Sequence, residues 1–286
     1  MKIDSNAAVS SSMREQLIDD GYCLFSQIIS DQMIKELRNV TDVLLDQQTD
    51  EEKEHNRLTG SMIQVWKDDA MAKLIAMPVA FDAMRCLGFK NPKWQCDGYI
   101  ISKPPRSPAL FWHQDWAAWD EPISYTKTPA QLFLMYYLVD TCRNNGCLRV
   151  IPGSHRNRHK LHDLAPVAHT EKSRDAQEGN PAMQQYDDEI DIEVRAGDLV
   201  VGDARLFHAA HPNQSAQKRT LIILWYCPLF DEMPNAIKAY AIQDKPPCKP
   251  VNWSEEAWQM LAPVMPVYHG NAKPARWNRT PDHRLV

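Results

Sequence analysis

Apolar and polar positions follow two different periods along this chain, and the period changes near residue 93. Before that point, apolar residues recur at helical spacing. The clearest apolar stripe consists of Ile34, Leu37, Val40 and Leu44. It follows Ser30, a residue suited to cap the start of a helix. Further helices are predicted from Ser11 or Ser12 to about Gly21, over 68–76 and over 79–87. Together with a short strand over 22–25, these elements form an N-terminal helical part at about 11–90.

Short strands dominate the region from about 93 to 230. They are predicted over 94–103, 131–139, 147–151, 190–194, 198–202 and 220–226. Residues 143–146 suit a tight turn that would pair the second of these strands with the third, and Ala196-Gly197 would turn the fourth into the fifth. Many short strands behind a helical block, without regular helix alternation, predict a mainly β fold. An antiparallel barrel or double-sheet roll with flanking helices fits that pattern.

The remaining stretches are polar or weakly helical. Residues 47–60 are predicted to form a loop. Residues 154–188 are predicted to form a long insertion, which is either a lid over the site or a solvated excursion, that is, a loop that extends into solvent. Two helices are expected at 233–242 and 254–262, followed by a polar tail. Without a visible boundary, we predict one domain over 1–286, with a core at about 93–230 and a C-terminal helical extension at about 231–286.

The composition argues against two classes of binding partner, nucleic acids and membranes. A net charge of -5, with 44% hydrophobic and 24% charged residues, gives no basic stripe for nucleic acid and no patch for a membrane surface. No apolar run of about 18 residues and no signal peptide is apparent. Seven cysteines without a CxxC pair indicate reduced thiols. We therefore expect a cytoplasmic protein that acts on a small molecule. Its oligomeric state cannot be inferred.

A candidate metal site begins at His113 and Asp115, which share one face if their stretch is a strand. The third ligand would be His208 or His211. Two histidines and one carboxylate leave three octahedral positions open, as in non-haem Fe(II) oxygenases, although the same set also suits Zn(II). Eleven residues after His208, Arg219 begins a strand, where a guanidinium can bind a carboxylate in bidentate fashion.

Several ordered motifs between about Gly21 and Pro228 resemble the phytanoyl-CoA dioxygenase family of Fe(II)/2-oxoglutarate oxygenases. They are His113-Gln114-Asp115, Asn144-Asn145-Gly146-Cys147-Leu148, Ile151-Pro152-Gly153-Ser154-His155, Gly197-Asp198-Leu199, and His208 with Pro212-Asn213, Ser215 and Arg219. The resemblance implies a double-stranded β-helix, or cupin-like jelly roll. It also implies a hydroxylase that consumes 2-oxoglutarate and O2 and oxidises an unactivated C–H bond of a small organic molecule, releasing succinate and CO2.

The same resemblance implies roles for individual residues. His113, Asp115 and His208 would bind Fe(II), and Arg219 would pair with the distal carboxylate of 2-oxoglutarate. Lys103 is a second candidate for the cosubstrate, against the alternative of a strand-end lysine in solvent. The chain departs from the family at two positions. Ala210 stands where members often have a serine that helps hold the cosubstrate, and Met135 stands where some members have a tryptophan.

The carboxylate at Asp115 argues for oxidation over halogenation, because halogenating relatives have a small residue at that position. Desaturation or ring formation would use the same residues as hydroxylation.

Candidate substrate contacts are Tyr99, Trp116 and Trp225, which belong to an aromatic cluster with Trp112 and Trp119 that we expect at the mouth of the site. Asp97, on the same strand face as Lys103, is a further candidate that could hydrogen-bond a substrate. Core packing is the alternative for each ring.

Two other functions remain open: a non-catalytic jelly-roll protein that keeps the metal motif, and a zinc hydrolase. Consumption of 2-oxoglutarate separates the first from an oxygenase, and activity without oxygen would favour the second.

Overall fold

A computed structural model of the protein describes residues 7–168, 170–177, 179–243 and 253–286. The α-helices in these residues are α1 (Ala7–Asp19), α2 (Asp31–Asp46), α3 (Asp50–His55), α4 (Met71–Ile75), α5 (Pro78–Cys86), α6 (Leu161–Leu164), α7 (Glu171–Arg174), α8 (Asn235–Ala241) and α9 (Glu255–Leu261). The strands are β1 (Tyr22–Phe25), β2 (Ile63–Gln64), β3 (Lys93–Lys103), β4 (Leu110–His113), β5 (Leu132–Tyr137), β6 (Leu148–Val150), β7 (Ile190–Ile192), β8 (Leu199–Asp203), β9 (His208–Ala210) and β10 (Arg219–Cys227). Within the described ranges, no helix has the length and apolar character needed to cross a bilayer.

Two antiparallel sheets form the centre of the fold. The larger has the order β1-β8-β5-β10-β3-β2, and the smaller has the order β4-β9-β6-β7. Apolar side chains from both sheets pack in one cluster, where Met135 and Leu221 of the larger sheet join Leu148 and Val150 of the smaller. The prediction of a mainly β, double-sheet fold with flanking helices is confirmed.

Helices α1, α2, α4, α5 and α9 cover the other face of the larger sheet. Leu37 and Leu44, from the predicted stripe of α2, pack in one cluster with Leu134 and Tyr136 of β5. Alternate β5 residues point instead between the sheets, so every residue of β5 is buried. A strand covered on both faces needs apolar residues at every position, and this accounts for the continuous apolar run in the sequence.

Both predicted hairpins are wrong. β5 and β6 lie in different sheets, as do β7 and β8, so each turn carries the chain from one sheet to the other. The turn glycines themselves are needed, since Gly146 and Gly197 have φ of 90° and 95°. At Gly146 a Cβ would also lie 2.9 Å from the His211 carbonyl oxygen. A positive φ fixes a local bend but not the strand with which the chain then pairs.

Local helix signals were missed in two places. Helix α1 begins at Ala7, so neither Ser11 nor Ser12 caps it. The predicted loop at 47–60 contains α3, which has a capping box between Thr49 and Glu52. The remaining predicted helices are confirmed as α2, α4, α5, α8 and α9.

The 154–188 insertion is packed against the core, with Leu161, Ala168, Ser173 and Tyr186 buried. It is therefore not a solvated excursion. Whether it acts as a lid stays a prediction, as does the division of 1–286 into one domain with three parts.

Candidate active site

Pairing between β4 and β9 brings two histidines together. His113 and His208 are direct cross-strand partners, and their ring centroids lie 4.1 Å apart. Each ring places Nδ1 3.0 Å from a carbonyl oxygen two residues earlier, that of Phe111 and that of Leu206 respectively. Because a proton on Nδ1 satisfies that carbonyl, the lone pair lies on Nε2, the arrangement common in metal-binding histidines.

Asp115 lies just beyond β4, where its backbone N–H donates to Ala204 at 2.8 Å. Its carboxylate oxygens lie 3.8 Å from Nε2 of His113 and 3.7 Å from Nε2 of His208. The three ligand atoms are within 4.8 Å of one another, and Trp225 Nε1 donates to Oδ2 of Asp115 at 2.9 Å. Two imidazoles and one carboxylate at this spacing can hold a divalent transition metal.

The alternative third ligand lies elsewhere. His211 places Nε2 2.6 Å from Oδ1 of Asp191, in a separate group that includes Cys147. Burial lowers the pKa of His211, against the opposing influence of Asp191. Of the two candidates for the third position, His208 is the one that faces His113 and Asp115.

A narrow cavity of about 70 Å³ extends from the metal ligands between the sheets to Arg219. The alternation along β10 lines it with Arg219, Leu221, Ile223 and Trp225. The guanidinium is buried, and its Nε and Nη1 have no hydrogen-bond partner among the described residues. Burial lowers the pKa of Arg219. A buried cation with unused donors, facing a cavity, is suited to bind a carboxylate.

Lys103 is the cross-strand partner of Arg219 and is completely buried. It is therefore not a strand-end lysine in solvent. Its Nζ donates to the carbonyl oxygens of Leu58 at 2.9 Å and Pro108 at 2.5 Å. Burial and the neighbouring guanidinium hold the pKa of Lys103 well below its usual range. Two adjacent buried basic groups make this end of the cavity attractive to an anion.

The two family departures, Met135 and Ala210, both line the same cavity. Neither can donate a hydrogen bond to a ligand, so polar contacts at this end must come from other groups.

A second, larger cavity of about 290 Å³ lies on the other side of Asp115 and Trp225, and we call it the outer chamber. All four predicted substrate contacts line it: Asp97, Tyr99, Trp116 and Trp225. Burial, and then the Asp97 carboxylate, raise the pKa of Tyr99 to about 12, so the phenol stays protonated. The indole N–H of Trp116 is already used, since it donates to Ser124 Oγ at 2.8 Å.

Two of the predicted mouth tryptophans are core residues. Trp112 is completely buried and donates to Gln184 O at 2.9 Å, and Trp119 packs with Tyr125 in another cluster. Neither lines the outer chamber. Trp112 directly precedes His113 within β4, so strand alternation turns it away from the metal ligands, whereas Trp119 lies beyond the strand, where alternation no longer predicts direction.

Sequence reasoning missed Arg174 and Arg279, which both line the outer chamber. Arg279 belongs to the stretch interpreted as a polar tail, and Arg174 to the insertion. Neither stands in a motif, and the tertiary fold brings both to the chamber, so no local pattern pointed to either.

The family model described as "Phytanoyl-CoA dioxygenase (PhyH)" matches residues 17–221. Among curated relatives, phytanoyl-CoA dioxygenase 1 of Oryza sativa subsp. japonica is 29% identical over 188 residues, which are 64% of this chain and 55% of the relative. The chain thus matches about half the length of that relative. A probable alpha-ketoglutarate-dependent hypophosphite dioxygenase of Stutzerimonas stutzeri is 24% identical over 232 residues, 76% of this chain and 78% of the relative.

Among solved structures, the epimerase SnoN in complex with Fe3+, alpha ketoglutarate and nogalamycin RO has a TM-score of 0.56 at 17% identity, over 78% of this chain and 84% of that one. This likeness concerns the fold, and it confirms the predicted jelly roll. The predicted class of enzyme and its cofactors agree with the names of these proteins. Because the family model covers well over half of the chain, the protein belongs to the phytanoyl-CoA dioxygenase (PhyH) family, as its motifs predicted.

Proposed function

We propose that this protein is a non-haem Fe(II)- and 2-oxoglutarate-dependent dioxygenase that hydroxylates an unactivated C–H bond of a small organic molecule. One observation carries the proposal. The same cavity holds His113, Asp115 and His208 at one end and the buried guanidinium of Arg219, with two unpartnered donor atoms, at the other. A metal-chelating dicarboxylate would satisfy both ends at once.

The donor set fits iron. Neutral imidazole nitrogens and a carboxylate suit Fe(II), and we propose His113, Asp115 and His208 as its ligands. When bound, iron and 2-oxoglutarate supply the oxidative chemistry, with succinate and CO2 as coproducts. Arg219 would bind the distal carboxylate in bidentate fashion. Lys103, the cross-strand neighbour of Arg219 whose Nζ is held by two carbonyl oxygens, is proposed as a second residue of the cosubstrate site.

The protein's own contribution is orientation and exclusion of water. Trp225 fixes one oxygen of Asp115 and leaves the carboxylate a defined direction toward the metal. Met135, Leu221 and Ile223 give the cosubstrate cavity apolar walls. In such a cavity the pairing between Arg219 and a carboxylate is stronger than in water, and the cosubstrate is held in one position.

We place the substrate in the outer chamber, where Asp97, Tyr99, Trp116 and Trp225 are the proposed contacts. SnoN is named as an epimerase, so proteins of this fold are not confined to one outcome. Hydroxylation is the proposed reaction, and desaturation or cyclisation would use the same ligands. An intact ligand set with Arg219 counts against a non-catalytic binding protein.

The first experiment is anaerobic addition of Fe(II) and 2-oxoglutarate to the protein, followed by visible spectroscopy. Chelation of Fe(II) by a 2-oxo acid gives a weak charge-transfer absorption. The absorption should disappear in His208→Ala and persist in His211→Ala, the matched control. Admission of oxygen should then yield succinate. If the wild type binds iron but gives neither absorption nor succinate, the proposal is wrong.

A further inference from the structure

Building on the proposed function, we propose that the outer chamber binds a small carboxylic acid as substrate, and that Arg279 receives its carboxylate. The substrate would then lie with its anionic end at the C-terminal tail and its hydrocarbon part beside Trp225 and Asp115. This names the substrate class and a residue that selects it.

The guanidinium of Arg279 is only partly used by the protein. Its Nη1 donates to the backbone oxygen of Gln114 at 2.6 Å, which fixes the side chain close to the metal ligands. Its Nε is fully buried and has no hydrogen-bond partner within the described part of the chain. The guanidinium carbon also lies 5.5 Å from the ring centre of Trp277. A buried, unpaired donor of this kind costs stability unless a ligand uses it.

The backbone beside Arg279 is held in place. Asn278 N donates to Ala117 O at 2.8 Å, and the backbone N–H of Trp119 donates to Asn278 O at 3.1 Å. The side chain of Asn278 adds a bond to Asp120 at 2.7 Å. Arg279 is therefore presented to the chamber on a fixed support, which lowers the entropy lost when a ligand binds. This segment lies beyond residues 17–221, the part that matches the family model.

The charges around the chamber favour an anion. Arg174 and Arg279 line it together with Asp97 and Asp115. The charge of Asp115 is engaged by the metal in the loaded enzyme, which leaves two guanidiniums against one carboxylate. Tyr99 and Trp225 stand edge to face, with ring centres 5.9 Å apart, and give the chamber an aromatic wall. Its volume of about 290 Å³ suits a small ligand with one charged end and an apolar body.

The test uses pairs of ligands that differ only in charge. Hexanoate and 3-phenylpropanoate are titrated into the anaerobic Fe(II)/2-oxoglutarate enzyme, each against its own primary amide, with tryptophan fluorescence as the readout. We expect at least one acid to bind tenfold or more tightly than its amide. Arg279→Met should remove that preference, weakening the acid about 10- to 100-fold while leaving the amide unchanged. Arg276→Met, an exposed arginine of the same tail, is the matched control.

Three results would overturn the inference: no acid preferred over its amide, equal acid binding by Arg279→Met and Arg276→Met, or loss of the charge-transfer absorption in Arg279→Met. The last would mean that Arg279 acts through Asp115. The same titrations with Fe(II) but without 2-oxoglutarate separate this inference from the proposed function, because the metal still engages Asp115. If the wild type gives no absorption but still prefers the acid through Arg279, the dioxygenase proposal fails and the acid site stands.

Discussion

Replacement of Arg219 by methionine should weaken the binding of 2-oxoglutarate and, at the same time, stabilise the ligand-free protein. The guanidinium is buried beside Lys103, and two of its nitrogens have no partner among the described residues. Each unsatisfied buried donor costs about 1–3 kcal/mol. Removing the charge also relieves the repulsion that helps hold the pKa of Lys103 down. With two such donors, we expect Arg219→Met to raise the free energy of unfolding by about 2–6 kcal/mol without cosubstrate.

The cost appears when the cosubstrate is added. Removing one partner of a buried, hydrogen-bonded charge pair costs about 2–5 kcal/mol, a loss of roughly 30-fold to several thousand-fold in affinity. Anaerobic titration of the charge-transfer absorption measures that affinity, and guanidinium chloride unfolding with and without 2-oxoglutarate measures stability. The wild type should gain stability from the cosubstrate, and the variant should gain almost none at the same concentration.

Arg205→Met is the control for this pair of effects. Arg205 is equally buried, but it binds Asp203 with Nη2 to Oδ2 at 2.6 Å and donates to Ser124 O at 2.7 Å. Loss of a paired buried charge should lower stability by about 3–5 kcal/mol. If Arg219→Met is destabilised as much as Arg205→Met, or binds 2-oxoglutarate within threefold of the wild type, the reasoning about an unpaired guanidinium is refuted.

Three further predictions concern groups around the site. Trp225→Phe removes the hydrogen bond to Asp115 and should weaken Fe(II) binding about 10- to 100-fold in an anaerobic metal titration, and unchanged affinity would contradict the orienting role. Burial lowers the pKa of His162 to about 4, below its usual 6.5. Between pH 4 and pH 6.5 the unfolded chain therefore binds a proton that the folded protein does not, and the free energy of unfolding falls as the pH drops through this range. In His162→Gln, the loss in the free energy of unfolding between pH 7 and pH 4.5 should be smaller than in the wild type by up to about 3 kcal/mol, as measured by denaturant unfolding at both pH values. An equal loss in both proteins would contradict the lowered pKa of His162. Lys103→Met leaves two carbonyl oxygens without their donor, so it should lower stability by about 1–3 kcal/mol and weaken 2-oxoglutarate less than Arg219→Met does.

The sequence was most informative where the chemistry is local or periodic. The stripe after Ser30 became α2, and the simple alternation of side chains along β10 accounts for Arg219 and Trp225 lining the same cavity. The family motifs selected His208 over His211, and the geometry agrees. In each case, neighbours along the chain determine the direction of the side chain.

Prediction failed where a distant partner decides. A turn glycine such as Gly146 does not indicate which sheet the next strand joins, and the two predicted hairpins were wrong for that reason. Trp112 and Trp116 stand four residues apart and are both buried, yet only Trp116 lines the outer chamber. Arg279 reaches the site only because residues 117–120 hold the tail beside it.

That arrangement has a consequence for biosynthesis. During synthesis, the segment that carries Arg279 is made well after His113, Asp115, His208 and Arg219. Both sheets can therefore form around these residues while Arg279 is still missing from the wall of the outer chamber. A nascent chain that ends near residue 270 would contain every proposed ligand of the iron and the cosubstrate, yet lack the side chain that closes the substrate space. If the proposed roles hold, the ability to bind iron and the ability to select a substrate would arise at different moments of synthesis.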